Sequence, residues 1–195
     1  MSNLFNALPN RSTLRPRAYK ALLDLVTENG ELEVLQLKSP DVEKWLDEWD
    51  ISGDEKSEFI KCISDAFAKV DQQCVQLPTP LANLLISSLR ETSYTYLVSY
   101  ARSLPPTSPK AEAAALRVIA TSLRLPTIFN FDSLLKLDCV MAVKGHQLFA
   151  LLKILLQAGI PEYRTWLETN EGVLAEYGIP SFHCLCCISR LMSRF

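Results

Sequence analysis

Apolar positions in this chain recur with a helical period almost from end to end. In RPRAYKALLDLVTENG, Tyr19, Leu22, Leu23 and Val26 fall in phase, and Gly30 follows as a left-handed stop. SPDVEKWLDEW predicts a second helix. Ser39 can cap it, and Pro40 fits the first turn, where a missing N–H removes nothing. Val42, Trp45, Leu46 and Trp49 then share one face. SGDEKSEFIKCISDAFAKV opens with Ser52 and Glu55 at capping-box spacing, and Phe59, Ile60, Ile63, Phe67 and Val70 make its stripe.

Two further helices are predicted between Pro80 and Leu104. Leu81, Leu84 and Leu85 lie inward in one, and Tyr96, Leu97 and Tyr100 in the other. LPPTSP is a break, and Pro109 starts an alanine-rich helix with Leu116, Ile119, Ala120 and Leu123 inward. Asn130 or Asp132 can cap a short helix through Leu137. A longer one is predicted from about Gly145 to Ala158, with Leu148, Leu151, Leu152 and Leu155 in phase and Gly159 as its end. Pro161 opens another, packed through Tyr163, Trp166 and Leu167. No strand or hairpin pattern precedes residue 178. Successive amphipathic helices on short loops stack as antiparallel pairs, and no strict repeat period is visible. The predicted fold class is therefore all-α, an irregular helical-repeat stack.

The richest apolar stretch, residues 128 to 159, reads as packing. Lys136, Asp138, Lys144 and Lys153 interrupt it, so it has no run approaching the roughly 20 apolar residues of a membrane span. Composition agrees. Hydrophobic residues make up 48% of the 195, enough for a packed core. A net charge of -2 gives no general attraction to nucleic acid or to anionic lipid. No GxGxxG or GxxxxGK[ST] loop is present to cradle a phosphate. Cys62, Cys74 and Cys139 lie alone among apolar residues, and MSNLFNALPNR lacks the pattern of a signal peptide. A cytoplasmic, reducing setting is the simplest reading.

Candidate chemistry is thin. His183, Cys184, Cys186 and Cys187 in HCLCC offer metal ligands, but four within five residues can hardly surround one tetrahedral ion. The same tail, with Arg190 and Arg194 beside Leu191, Met192 and Phe195, is amphipathic enough to consider lipid tethering, a weak anchor alone. His146 could pair with a cysteine as a nucleophile, yet no cysteine carries a matching signature, and a helix-start role is the simpler one. Asp47, Glu48 and Asp50 read as solvated surface. Trp45, Trp49, Phe129 and Phe131 read as core rather than as a binding ridge. Arg11, Arg15, Arg17 and Lys20 form a small basic cluster, and Arg117 and Arg124 fall two turns apart. Neither is interleaved with aromatics, so ordinary surface charge is expected and direct RNA contact is not. No catalytic, cofactor-binding or metal-ligating residue is assigned, and no enzyme activity is expected.

Three blocks in order carry a resemblance. They are RAYKALLDLVTENG, then VEKWLDEWDISGDEKSEFIKCISDAF, then FNFDSLLKLDCVMAVKG running into HQLFALLKILLQAGIPEYRTWLETNEGVL. Together they resemble the M-subunit family of eukaryotic translation initiation factor 3, within the PCI group that also serves the proteasome lid and the signalosome. Phe131, Asp132, Leu134, Leu135, Leu137 and Val140 stand at the matching places.

The resemblance implies a non-catalytic scaffold subunit that works with other subunits of the factor and, through them, with the small ribosomal subunit. It covers residues 4 to 178 and is diffuse between about 71 and 112. It also implies a chain shortened at both ends relative to the family. The 17 residues from Ile179 to Phe195 are too few for the family's C-terminal winged helix. The expected organisation is a helical-repeat region over 1–178 and a divergent, disordered tail over 179–195. The alternatives are a scaffold of the signalosome or the proteasome lid, and an adaptor held to a membrane by the Cys-rich tail.

Overall fold

A computed structural model describes residues 8–9, 11–74, 80–125, 127–128, 131–157 and 160–179, with the backbone alone for 74 and 80–86. Phe129, Asn130, Gly159 and the HCLCC tail lie outside the described residues. Among those described, all regular structure is helical. The α-helices are α1 (Leu14–Glu28), α2 (Ser39–Glu48), α3 (Gly53–Cys74), α4 (Pro80–Ser103), α5 (Pro109–Arg124), α6 (Asp138–Ala142), α7 (Gln147–Gln157) and α8 (Ile160–Glu176). Two 3-10 turns, Leu32–Leu35 and Leu134–Lys136, join them. The all-α expectation is met.

The chain forms two compact units, Met1–Tyr100 and Ala101–Phe195. In the first, α1 packs on α3, and the Leu32–Leu35 turn packs on both. Their stripes meet in one core, with Tyr19, Leu23, Val42, Leu46, Phe59 and Ile63 all buried. In the second, α5 packs on α6 and α7, and α7 packs on α8. Ala111, Ala114 and Ala115 are buried on α5, and such small side chains let helices approach closely. Phe131, Val140, Leu148, Leu151 and Leu152 have no exposed surface. The stretch that looked like packing is packing.

The helix ends show why the boundaries fall where they do. Ser52 and Glu55 form the expected capping box: the Ser52 N–H donates to Glu55 Oε2 at 2.9 Å, and the Glu55 N–H donates to Ser52 Oγ at 3.3 Å. Those bonds hold the Glu55 carboxyl below its usual pKa. Ser108 caps α5, accepting from the Ala111 N–H at 3.1 Å. Gly30 takes φ 72 and Gly178 takes φ 59. Each closes a Schellman turn, with Glu31 N–H to Val26 O and Ile179 N–H to Leu174 O both at 2.9 Å. At the second, Leu174 and Ile179 are both buried, the apolar pairing this turn usually carries.

Several expectations shift. Ser39 is the first residue of α2, and Lys38 stands at its cap without a side-chain bond. The Ser39 hydroxyl turns instead toward Glu43 Oε1, at 3.4 Å. The segment from Pro80 is one helix, not two. Its buried stripe runs through Leu89, Ser93, Tyr96, Leu97 and Tyr100, and the serine hides its continuity. The expected helix ending at Leu137 is a 3-10 turn preceded by Ser133, and a separate short helix begins at Asp138. Ser133, not Asp132, stands at the cap position of that turn. The helix expected from Gly145 begins at Gln147. Inside α8, Asn170 leaves helical geometry at φ -131. Its Nδ2 donates to the Trp166 carbonyl at 2.9 Å, and the Thr169 hydroxyl donates to the same oxygen at 3.1 Å. Side chains that bond nearby backbone in this way compete with the helical ladder and bend it.

A prediction follows from the leucine layer. Leu151→Ala removes a fully buried side chain, so it is expected to lower stability by about 2–5 kcal/mol, read by urea denaturation. Leu14→Ala, at a position 54% exposed, is expected to stay within about 0.5 kcal/mol of the parent in the same assay.

Candidate interaction surface

The residues that could carry chemistry can be placed one at a time. His146 stands just before α7. Its Nδ1 accepts the Leu148 N–H at 3.1 Å, and its ring meets Tyr177 edge-on at 6.0 Å. It is a helix cap, as the simpler reading had it, and its Nδ1 lone pair is committed to the backbone. Cys139 is buried and Cys62 half-buried, and burial pushes both thiols up, away from the reactive thiolate. Among the described residues, no three of His, Cys, Asp or Glu gather as a metal site would require. Among the same residues, no helix is long and apolar enough to cross a membrane.

The tryptophans are core. Trp49 is buried and Trp45 half-buried. Tyr19 meets Trp45 at 5.4 Å and Phe59 at 5.7 Å, and Trp49 meets Phe59 edge-on at 5.1 Å. Four aromatics from α1, α2 and α3 and the residue just after α2 thus lock together, worth about 0.5–1.5 kcal/mol per pair beyond area burial. Asp47 lies at the surface with 84% of its side chain exposed, 3.6 Å from Lys56 Nζ. Asp50 is also exposed, while Glu48 is half-buried.

Two polar features were not foreseen. Ser64 Oγ donates to the Ser93 carbonyl and Ser93 Oγ donates to the Ser64 carbonyl, both at 3.1 Å and both buried. This reciprocal pair stitches α3 to α4 and explains two serines in apolar stripes. A serine at stripe phase is the only sequence signal for it. The second feature dissolves part of the basic cluster. Arg15 is buried, and its Nε and Nη2 donate to the Leu8 carbonyl at 3.1 and 2.8 Å. Arg11, Arg17 and Lys20 remain exposed.

The surface also carries apolar helix face. Leu14 is 54% exposed, Leu25 42% and Val34 70%. Leu14, Ala18, Ala21 and Leu25 follow i, i+4, i+7, i+11, so they form one row along α1, opposite the side that carries Tyr19 and Leu23. A row of this kind leaves apolar side chains in water.

Among the described residues the architecture is all-α, a stack of amphipathic helices. The chain is similar to part of the proteins named eukaryotic translation initiation factor 3 subunit M. It is 26% identical to that protein of Dictyostelium discoideum over 192 residues, which is 95% of this chain and 43% of the relative. It is 24% identical to that of Phaeosphaeria nodorum over 184 residues, 92% of this chain and 38% of the relative. It is 25% identical to that of Gallus gallus over 179 residues, 92% and 44%. No family model matches the chain. The chain spans less than half the length of these curated relatives.

The interior makes two predictions. Tyr96 is buried, and its hydroxyl finds no hydrogen-bond partner among the described residues. Tyr96→Phe is therefore expected to leave the melting temperature unchanged or raise it, because an unpaired buried hydroxyl is removed while the ring stacked on Phe67 stays. Burial also pushes the Tyr19 hydroxyl from 10.0 up to about 12. A raised folded value means the unfolded chain releases its proton first. The contribution of Tyr19 is whole below about pH 10 and is lost as pH rises to about 12. Stability measured against pH is expected to fall over that window, less steeply in Tyr19→Phe.

Proposed function

We propose that this chain is a non-catalytic scaffold in translation initiation factor 3, supporting assembly of the preinitiation complex on the small ribosomal subunit. The observation that carries the reading is the run of similarity to M subunits over nearly the whole chain, on a fold built from stacked helices. A helical stack binds by burying exposed apolar faces, and the Leu14 to Leu25 row of α1 offers one. The partners are other subunits of the factor, and the ribosome is reached through them. The working site is the cytoplasm, where translation takes place. The helical-repeat region spans 1–178, and a divergent tail follows from Ile179.

The test is affinity purification of the tagged full chain from cells, with mass spectrometry of what comes with it. Subunits of initiation factor 3 are expected, at stoichiometric yield. Recovery of signalosome or proteasome-lid subunits instead would assign the chain to a sister complex. Leu14→Asp with Leu25→Asp is expected to cut recovery about tenfold or more while leaving helix content intact, since two buried apolar contacts are worth several kcal/mol at an interface.

A further inference from the structure

The two units differ in charge. Met1–Tyr100 holds ten Lys and Arg against fifteen Asp and Glu, a net of -5, and Ala101–Phe195 holds ten against seven, a net of +3. These combine to the chain's -2, so the near-neutral total conceals an acidic half and a basic half.

The basic half has an ordered feature. On α5, Lys110, Arg117 and Arg124 recur every seven residues, and all three are exposed. Seven residues are nearly two turns, so the three cations form a ridge along one side of the helix. With a rise of about 1.5 Å per residue, neighbours stand about 10 Å apart and the ridge is about 21 Å long. Between them lie Ala113, exposed, and Thr121, half-buried, whose Oγ1 accepts from Arg124 Nη2 at 3.2 Å. The acid of this helix, Glu112, lies well off that side. The opposite face, through Ala111, Ala115, Val118 and Ser122, is buried, so the ridge points outward.

We propose that this ridge binds the sugar-phosphate backbone of a nucleic acid, without sequence preference. The ligand class follows from what surrounds the cations. A protein interface needs large apolar or aromatic anchors. Among the described residues of the second unit, the exposed large hydrophobics reduce to Met141, at 36%. A phosphate backbone needs regularly spaced cations on a surface it can approach, and small residues between them allow that. The absence of aromatics from the ridge removes base stacking, and with it a route to sequence choice. Both arginines were visible in the sequence as an isolated pair. The register of α5 adds Lys110 and makes a line of them. This goes beyond the assembly reading, and the ridge lies on a different helix from the apolar row of α1.

The test uses the full chain and a fluorescent single-stranded RNA of about 20 nucleotides, with affinity followed against salt. Three phosphate contacts predict a slope of about -2 for log affinity on log salt, since each contact contributes about 0.7 on a single strand. Lys110→Gln, Arg117→Gln and Arg124→Gln are each expected to reduce the slope by about 0.7, and the triple variant to abolish binding. Arg11→Gln with Arg17→Gln and Lys20→Gln, in the acidic unit, is expected to leave the slope unchanged. Helix content by circular dichroism accompanies each variant. Should one substitution unfold the chain, the remaining singles and the charge-keeping Arg117→Lys, expected to retain binding, still decide the matter. Absence of binding at low salt would overturn the proposal, as would a slope indifferent to the ridge. Tighter binding of polyglutamate than of RNA of equal charge would also overturn it, and would assign the ridge to an acidic protein. Loss of RNA binding with recovery of initiation factor subunits intact is expected, which keeps this result separate from the assembly reading.

Discussion

The structure depends on each helix burying one apolar stripe against its neighbours. Helices of the lengths seen here are marginal on their own in water, because nucleation is unfavourable and each added bond returns little. α7 shows the dependence most plainly. Its eleven residues carry Leu148, Leu151, Leu152 and Leu155, all buried, against α5 and α8. Remove the neighbours and nothing in the sequence would hold that turn count. The same holds for α2, ten residues long, which Val42 and Leu46 fix to the core of the first unit.

That constraint limits what the interior can do. Several polar groups inside the two units join segments or end helices. Ser64 and Ser93 exchange hydrogen bonds across α3 and α4, His146 caps α7, and Arg15 satisfies the Leu8 carbonyl. Each spends its bonding capacity on backbone. The two placed thiols are pushed away from reactivity by the same burial. The proposed function therefore draws on outer faces. The first unit shows an apolar row on α1, and the second a cationic line on α5. Surfaces of that sort suit a protein that holds others in place, the role proposed from its similarity to M subunits of the initiation factor.

The parts of this arrangement that the sequence revealed are those with a periodic signal. The stripes of α1, α3, α5 and α7 were legible because their inward residues are nearly all apolar, and the capping box at Ser52 and Glu55 because both side chains have one obvious use. What stayed hidden broke a pattern or lacked one. The sequence reads as two helices where α4 is one; Ser93 breaks the apolar run of its stripe, and only the partner serine on α3 explains why a hydroxyl can stand there. Arg15 looked like surface charge, since nothing local predicts a carbonyl seven residues back as its target. The bend in α8 needed Thr169 and Asn170 to compete for one oxygen, a matter of rotamers rather than period. The line from Lys110 through Arg117 to Arg124 was within reach of the sequence, since Pro109 is expected to start that helix; what the structure adds is that all three are exposed.

Hydrogen exchange on the full chain, read peptide by peptide by mass spectrometry, tests the central claim most directly. If buried stripes hold the stack, amides of Leu148–Leu155 in α7 and of Phe59–Val70 in α3 exchange slowest, by orders of magnitude relative to the exposed loop before Ser108. Exchange in those two segments as fast as in that loop would contradict the account, because helices of this length cannot protect their amides without the packing described.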